Sequence, residues 1–376
     1  MSIALKDHLG TTAVRRIASE LHGVHPSFDV KTFLRKASRL GDRSLTERAR
    51  YIATVMRAML PEDPLMALGL ITRSFGPPLT RPYGNGPEVL RYLPHAYFIA
   101  TYGLDHFDAS MAATHALTQR FTGEFTVRPF LERYPEAMLA VLSRWVLDPS
   151  EHVRRLVSEG TRPRLPWAPR LAVFERDPSP VLALLTILRD DPSPYVRRSV
   201  ANHLNDLTKT HPTLVLDLAE RWRDGATDAR FRLLRHALRT LVRAGDERAL
   251  KIVGASTGAR ASVTSSLTPK RLHIGETLTI ELTVMNNEPY RAHFVLDVVV
   301  HFVRADGSTR PKVFKLCAVT LASAETATVT RSISFRQHST RTHYPGKHRV
   351  DALVNGVATP IGVVTVRAPV ARRARR

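Results

Sequence analysis

The sequence predicts two folds in tandem, an α-solenoid of HEAT-like repeats followed by an immunoglobulin-like β-sandwich. Three observations predict them. One phrase occurs twice, as Asp148-Pro-Ser-Glu-His-Val-Arg-Arg-Leu-Val-Ser-Glu159 and as Asp191-Pro-Ser-Pro-Tyr-Val-Arg-Arg-Ser-Val-Ala-Asn202, with an offset of 43 residues. A period of about 40–47 residues is that of HEAT-type helix pairs. From Ala261 the apolar spacing shortens to two, the spacing of strands. Within that second part Asp306-Gly307 and Asn355-Gly356 are hairpin-turn signals.

The elements follow in order. Leu5, Leu9, Val14, Ile17 and Leu21 recur at helical spacing, as do Phe33, Leu34 and Leu40. Ser44 to Leu60 carries an apolar stripe and ends at Pro61. Asp63-Pro64 opens the next helix, which runs to Phe75. Gly76 to Pro94 reads as a loop, and helices resume over His95–Tyr102 and Phe107–Phe121. The run Thr118-Gln-Arg-Phe-Thr-Gly-Glu-Phe-Thr-Val-Arg-Pro-Phe-Leu131 packs Phe, Arg and one Glu together, with a Pro near its end. A helix then spans Pro135–Leu147. Each copy of the repeated phrase places its Asp at the N-cap and its Pro at the first helical position. Leu214–Arg223 and Ala229–Ala244 read as further helices, the latter as a degenerate third copy. Strands are expected over 278–284, 294–303, 326–335 and 363–366, within roughly seven short strands, as in a disulfide-free sandwich. The boundaries that result are 1–255 for the solenoid, 256–261 for a linker, 262–367 for the sandwich and 368–376 for a basic tail.

Charge narrows the function classes. Lys and Arg number 55 against 34 acids, a net charge of +21 and a pI near 10.9. A polyanion partner follows, because basic surfaces bind phosphates by releasing counterions, and Arg suits bidentate phosphate recognition. The single cysteine, Cys317, excludes an internal disulfide and any cysteine-based metal cluster. P-loop, dinucleotide and His-Glu-x-x-His motifs are missing, so neither cofactor nor metal is expected. No secretory h-region or apolar run of 18 residues occurs, and the expected protein is a soluble, cytoplasmic monomer.

Two arginines in each repeat helix, including Arg155, Arg197 and Arg198, would give the inner solenoid surface phosphate contacts. Glu159 and Asp206 break the repeat, since Asn202 stands at the position matching Glu159. As ion-pair partners of those arginines they would be structural. One detail points to function instead: Glu159 sits at the C-terminal end of its helix, where the dipole opposes an anion. Trp167 follows in a loop constrained by three prolines. A non-catalytic DNA-binding or protein-scaffold solenoid remains the alternative to an enzyme.

The Phe-Thr-Gly-Glu-Phe-Thr-Val-Arg-Pro-Phe-Leu segment, the Asp-Pro-Ser-x-x-Val-Arg-Arg repeats and Ser-Glu-Gly-Thr-Arg-Pro-Arg-Leu-Pro-Trp together resemble the AlkC branch of the HEAT-like-repeat DNA glycosylases. The resemblance covers most of the chain. It implies excision of cationic alkylated bases, N3-methyladenine and N3-methylcytosine, from double-stranded DNA in a bacterial nucleoid, without a base-flipping pocket. It implies Glu124, Glu159 and Asp206 as catalytic, Trp167 as a sugar or lesion contact, and Arg155, Arg162 and Arg164 as DNA contacts. Gly123 stands where many relatives are expected to carry Ser, so the resemblance asks there for a small residue. It also implies that the sandwich grips the duplex, at the minor groove.

Overall fold

The computed structural model describes residues 4–80, 86–337 and 341–369. Its helices are α1 (Thr11–Val24), α2 (Val30–Ala37), α3 (Leu45–Arg57), α4 (Pro64–Arg73), α5 (Leu93–Tyr102), α6 (Phe107–Thr118), α7 (Glu124–Arg133) and α8 (Pro135–Trp145). Then come α9 (Glu151–Gly160), α10 (Ala172–Arg176), α11 (Ser179–Leu188), α12 (Pro194–Leu207), α13 (Pro212–Arg223), α14 (Asp228–Ala237), α15 (Arg239–Arg243) and α16 (Glu247–Ile252). Starts and stops follow local chemistry. Ser44 and Glu47 form a capping box on α3, and Asp63 caps α4 ahead of Pro64. Pro129 lies inside α7 rather than closing the segment.

The repeated phrase works differently from its expected role. Ser150 and Ser193, not the two Asp residues, precede the helices. Asp148 Oδ1 and Asp191 Oδ1 instead accept from the backbone N–H of Ser150 and Ser193, each at 2.8 Å. This is an Asx turn, in which a short carboxylate imitates a backbone carbonyl. The first arginine of each copy hooks back onto that turn. Arg154 donates to the carbonyls of Asp148 and Pro149 at 2.8 and 3.0 Å, and Arg197 donates to those of Asp191 and Pro192. The repeat is therefore a self-bracing helix start. The helix expected over Ala229–Ala244 is also corrected, because it breaks at Leu238 into α14 and α15.

The chain divides into two compact units, one up to Pro212 with Thr227–Ala237, the other Thr213–Ala226 with Leu238 onward. In the first, α3, α5, α7, α9, α12 and α14 lie side by side, and α4, α6, α8 and α11 each pair with the next of these helices. This is the helix-pair arrangement of a HEAT-like solenoid. The row is held by apolar burial: Leu93 to Ala100 of α5 are all buried, as are Val153, Leu156 and Val157 of α9.

The second unit contains the β-sandwich. Its strands are β1 (Ala261–Thr268), β2 (Arg271–His273), β3 (Thr277–Asn286), β4 (Ala292–Val303), β5 (Thr309–Leu321), β6 (Thr326–Ser334), β7 (Gly346–Val354) and β8 (Val357–Arg367). One sheet has the order β1-β3-β6 and the other β2-β8-β7-β4-β5, with β2 parallel to β8. Leu278, Ile280, Val298, Val300 and Phe335 fill part of the space between them. Asn355 and Gly356 both adopt positive φ, as a two-residue hairpin turn requires. Cys317 is free. The basic tail expected over 368–376 lies outside the described residues from position 370.

Candidate active site

Three carboxylates meet where α7, α9 and α12 lie side by side. Glu124 is the first residue of α7, while Glu159 and Asp206 are each last but one in α9 and α12. A helix C-terminus carries roughly half a negative charge. Two of the three acids thus stand in a potential that opposes them and favours a cation.

Two guanidiniums compensate. Arg155 reaches Glu124 Oε2 at 2.8 Å and Glu159 Oε1 at 3.3 Å. Arg162 reaches Glu159 Oε1 at 2.7 Å and, through Nε and a terminal nitrogen, Asp206 Oδ2 at 2.9 and 2.8 Å. Acid and base alternate from Glu124 through Arg155, Glu159 and Arg162 to Asp206, and all five side chains are largely buried. At the end of the series Lys209 Nζ stands 3.6 Å from Asp206 Oδ1.

Glu159 is the hub. Its second oxygen accepts from Ser199 Oγ at 2.6 Å. Burial by itself would raise its pKa, but the charges of Arg155 and Arg162 and the Ser199 hydrogen bond outweigh burial and hold it below the usual carboxylate range. Burial likewise opposes the charges of Arg155 and Arg162, and their acidic neighbours outweigh it, so both are raised. Beneath the hub, His203 Nδ1 lies 3.0 Å from the Ser158 carbonyl; burial pushes this imidazole down to about 3, so it is neutral.

Glycine makes the meeting possible. A Cβ on Gly160 would lie 2.6 Å from Val127 Cγ2, and one on Gly123 would lie 2.6 Å from Thr118 Oγ1 and 2.9 Å from Leu156 Cδ2. These two positions let the start of α7 approach the end of α9. Arg128, on the same face of α7 as Glu124, pins the loop that follows α9. It donates to the carbonyl of Arg162 at 2.8 Å and to that of Pro169.

The sandwich region matches the family described as "Uncharacterised protein YhaZ, C-terminal Ig-like domain" over residues 262–368. The Bacillus subtilis (strain 168) protein described as "Uncharacterized protein YhaZ" is 35% identical over 356 residues, 94% of this chain and 96% of its own. A solved structure of Pseudomonas fluorescens alkylpurine DNA glycosylase AlkC, bound to DNA containing an abasic site analogue, is 36% identical. It superposes with a TM-score of 0.83 over 97% of this chain and all of that one. The chain belongs to the AlkC family.

Of the residues singled out in the sequence, this AlkC-family structure brings together Glu124, Glu159, Asp206, Arg155 and Arg162. The two arginines, expected at the DNA surface, are turned inward because the three carboxylates need buried partners. Arg197, expected beside them, is committed to its own Asx turn. Arg164 pairs with Glu175 at 2.7 Å and stays partly accessible, and Arg198 is exposed. Trp167 is 67% exposed on the loop that Arg128 pins, with φ of 65°, a left-handed conformation unusual for an aromatic residue. Sequence reasoning missed Ser199, Arg128 and Lys209. Ser199 had a readable signal: it replaces Leu156 of the first repeat copy, putting a hydroxyl on the apolar stripe.

Proposed function

We propose that this chain is a DNA base-excision repair glycosylase that hydrolyses the N-glycosidic bond of cationic alkylated bases, N3-methyladenine and N3-methylcytosine, in duplex DNA. The observation that carries the reading is the buried carboxylate series at two helix C-termini, in a chain of the AlkC family, with Asp206 Oδ1 turned away from the arginines. A base alkylated at N3 already bears a positive charge. When the bond from C1′ breaks, its electron pair neutralises the base, and the charge passes to an oxocarbenium-like sugar. Water then adds at C1′ and gives up a proton. Asp206, with Glu124, would stabilise the sugar cation and align that water. Glu159 would act with them and hold both arginines in register, and Trp167 would meet the sugar or the lesion.

The magnitudes suffice. A unit charge pair at about 4 Å and an effective dielectric of ~20 gives roughly 4 kcal/mol, on the order of a thousandfold in rate. A labile cationic leaving group needs little acid catalysis beyond that, and no pocket for the extruded base is required. In this reading residues 1–255 carry the chemistry. Residues 262–367 grip the duplex at the minor groove, using the exposed Arg304, Arg310 and Lys312 around the β4–β5 turn. Arg164 and Arg198 would contact phosphates. The protein acts as a cytoplasmic, nucleoid-associated monomer.

The pairing of every carboxylate with an arginine is also what a non-catalytic DNA-binding or scaffold solenoid would show. Incubation with N-methylated duplex separates the two readings. The glycosylase releases free methylated base, and Glu159→Gln lowers that release at least a hundredfold while duplex affinity stays within about threefold. Wild-type protein that binds the duplex and releases nothing is the scaffold.

A further inference from the structure

The carboxylate series carries one more negative charge than its arginines balance. Glu124, Glu159 and Asp206 are three anions, and Arg155 and Arg162 are two cations. The third cation is Lys209, and it is held differently. Its side chain is 42% exposed, and it approaches Asp206 once, at 3.6 Å, on Oδ1. Arg162 grips the other oxygen, Oδ2, with two nitrogens inside the protein. An exposed single ion pair is weak, and a Lys ammonium is a hydrated point charge on a flexible stem. Lys209 can therefore leave Oδ1 at little cost, whereas Arg162 cannot leave Oδ2 without stranding a buried charge. Lys209 also follows Thr208, the C-cap of α12, where the helix carbonyls attract a cation whether or not Asp206 is engaged.

We propose that Lys209 is the resident counter-charge of Asp206 Oδ1, standing where the sugar cation develops, and that it sets how strongly the site favours a positively charged sugar. The inference rests on the glycosylase reading. With Lys209 in place the ion-paired side chains of the series number three of each sign. During reaction the sugar replaces one positive charge with another, and the lysine that remains nearby repels it.

The test compares Lys209→Met, which keeps bulk and removes charge, with Lys209→Arg and wild type. One readout is single-turnover release of base from methylated duplex at saturating protein. The other needs no turnover: relative affinity for an abasic duplex whose sugar ring carries a protonated nitrogen over one with an uncharged tetrahydrofuran. A charge about 4 Å away in a water-like medium corresponds to roughly a fivefold effect. Lys209→Met is expected to release base about fivefold faster and to prefer the charged sugar about fivefold more than wild type, with Lys209→Arg close to wild type. An unchanged or slower release, or an unchanged sugar preference, overturns the proposal. A salt dependence of duplex binding that falls by about one contact in Lys209→Met does so too, because Lys209 is then a phosphate contact. If wild type releases no base, the glycosylase reading falls, and the two sugar affinities still decide whether Lys209 is the counter-charge.

Discussion

Asp206 and Glu159 look alike in the sequence, each an acid near the end of a solenoid helix, yet their surroundings differ. Both oxygens of Glu159 are taken, by two arginines and by Ser199, whereas Asp206 meets its arginine through one oxygen. Spacing reveals only part of this: Arg155 and Arg162 lie four before and three after Glu159, whereas Ser199 and the Arg162–Asp206 contact come from the packing of α12 beside α9. The buried histidines carry a second consequence at this scale. His95 and His203 are both held neutral by burial, their pKa values lowered to about 3. The unfolded chain binds a proton at each near 6.5, and the folded chain refuses it until about 3. Stability is therefore present above pH 6.5 and is lost as pH falls below it, at about 1.4 kcal/mol per pH unit per histidine. Glu159, held low, adds a loss of the same sign at more acid pH. Urea midpoints at pH 7, 6 and 5 check this, and a flat profile contradicts it. His203→Gln removes part of the slope.

Individual elements show which features of the fold the sequence displayed. The 43-residue offset and the shift to period-two spacing were legible because they repeat over many residues. The start of α4 at Asp63-Pro64 was legible because capping is local chemistry. The Asx turns before α9 and α12 were not, since Asp-Pro-Ser serves equally as a cap or as the turn ahead of one. The break at Leu238 interrupts an unbroken apolar-and-arginine pattern and had no local mark. Gly160 appears in the sequence only as part of the Ser-Glu-Gly-Thr-Arg-Pro segment, while its role is the contact between α9 and α7. Gly160→Ala brings a methyl to 2.6 Å from Val127 Cγ2. Overpacking of this kind costs about 1–3 kcal/mol. Calorimetry is expected to show a lowered Tm, with excision reduced more than stability alone explains, because Glu124 moves with α7. An unshifted Tm contradicts the close approach.

For the whole molecule, net charge of +21 and family membership both lead to a DNA partner, from independent directions. Charge says only that a polyanion is bound. The family resemblance implied the chemistry, and the three acids it named, between residues 124 and 206, are brought together only by the fold. The sequence marked the three acids through their resemblance to the family, not through a motif spacing of their own. The central claim is that Asp206 stabilises the sugar cation through the oxygen left open by Arg162. The direct measurement is single-turnover release of N3-methyladenine from duplex DNA by Asp206→Asn, read beside its affinity for an uncharged abasic duplex. Release at least a hundredfold slower with affinity within about threefold is the predicted result. Release at the wild-type rate, or a loss accounted for by weaker duplex binding, would contradict it.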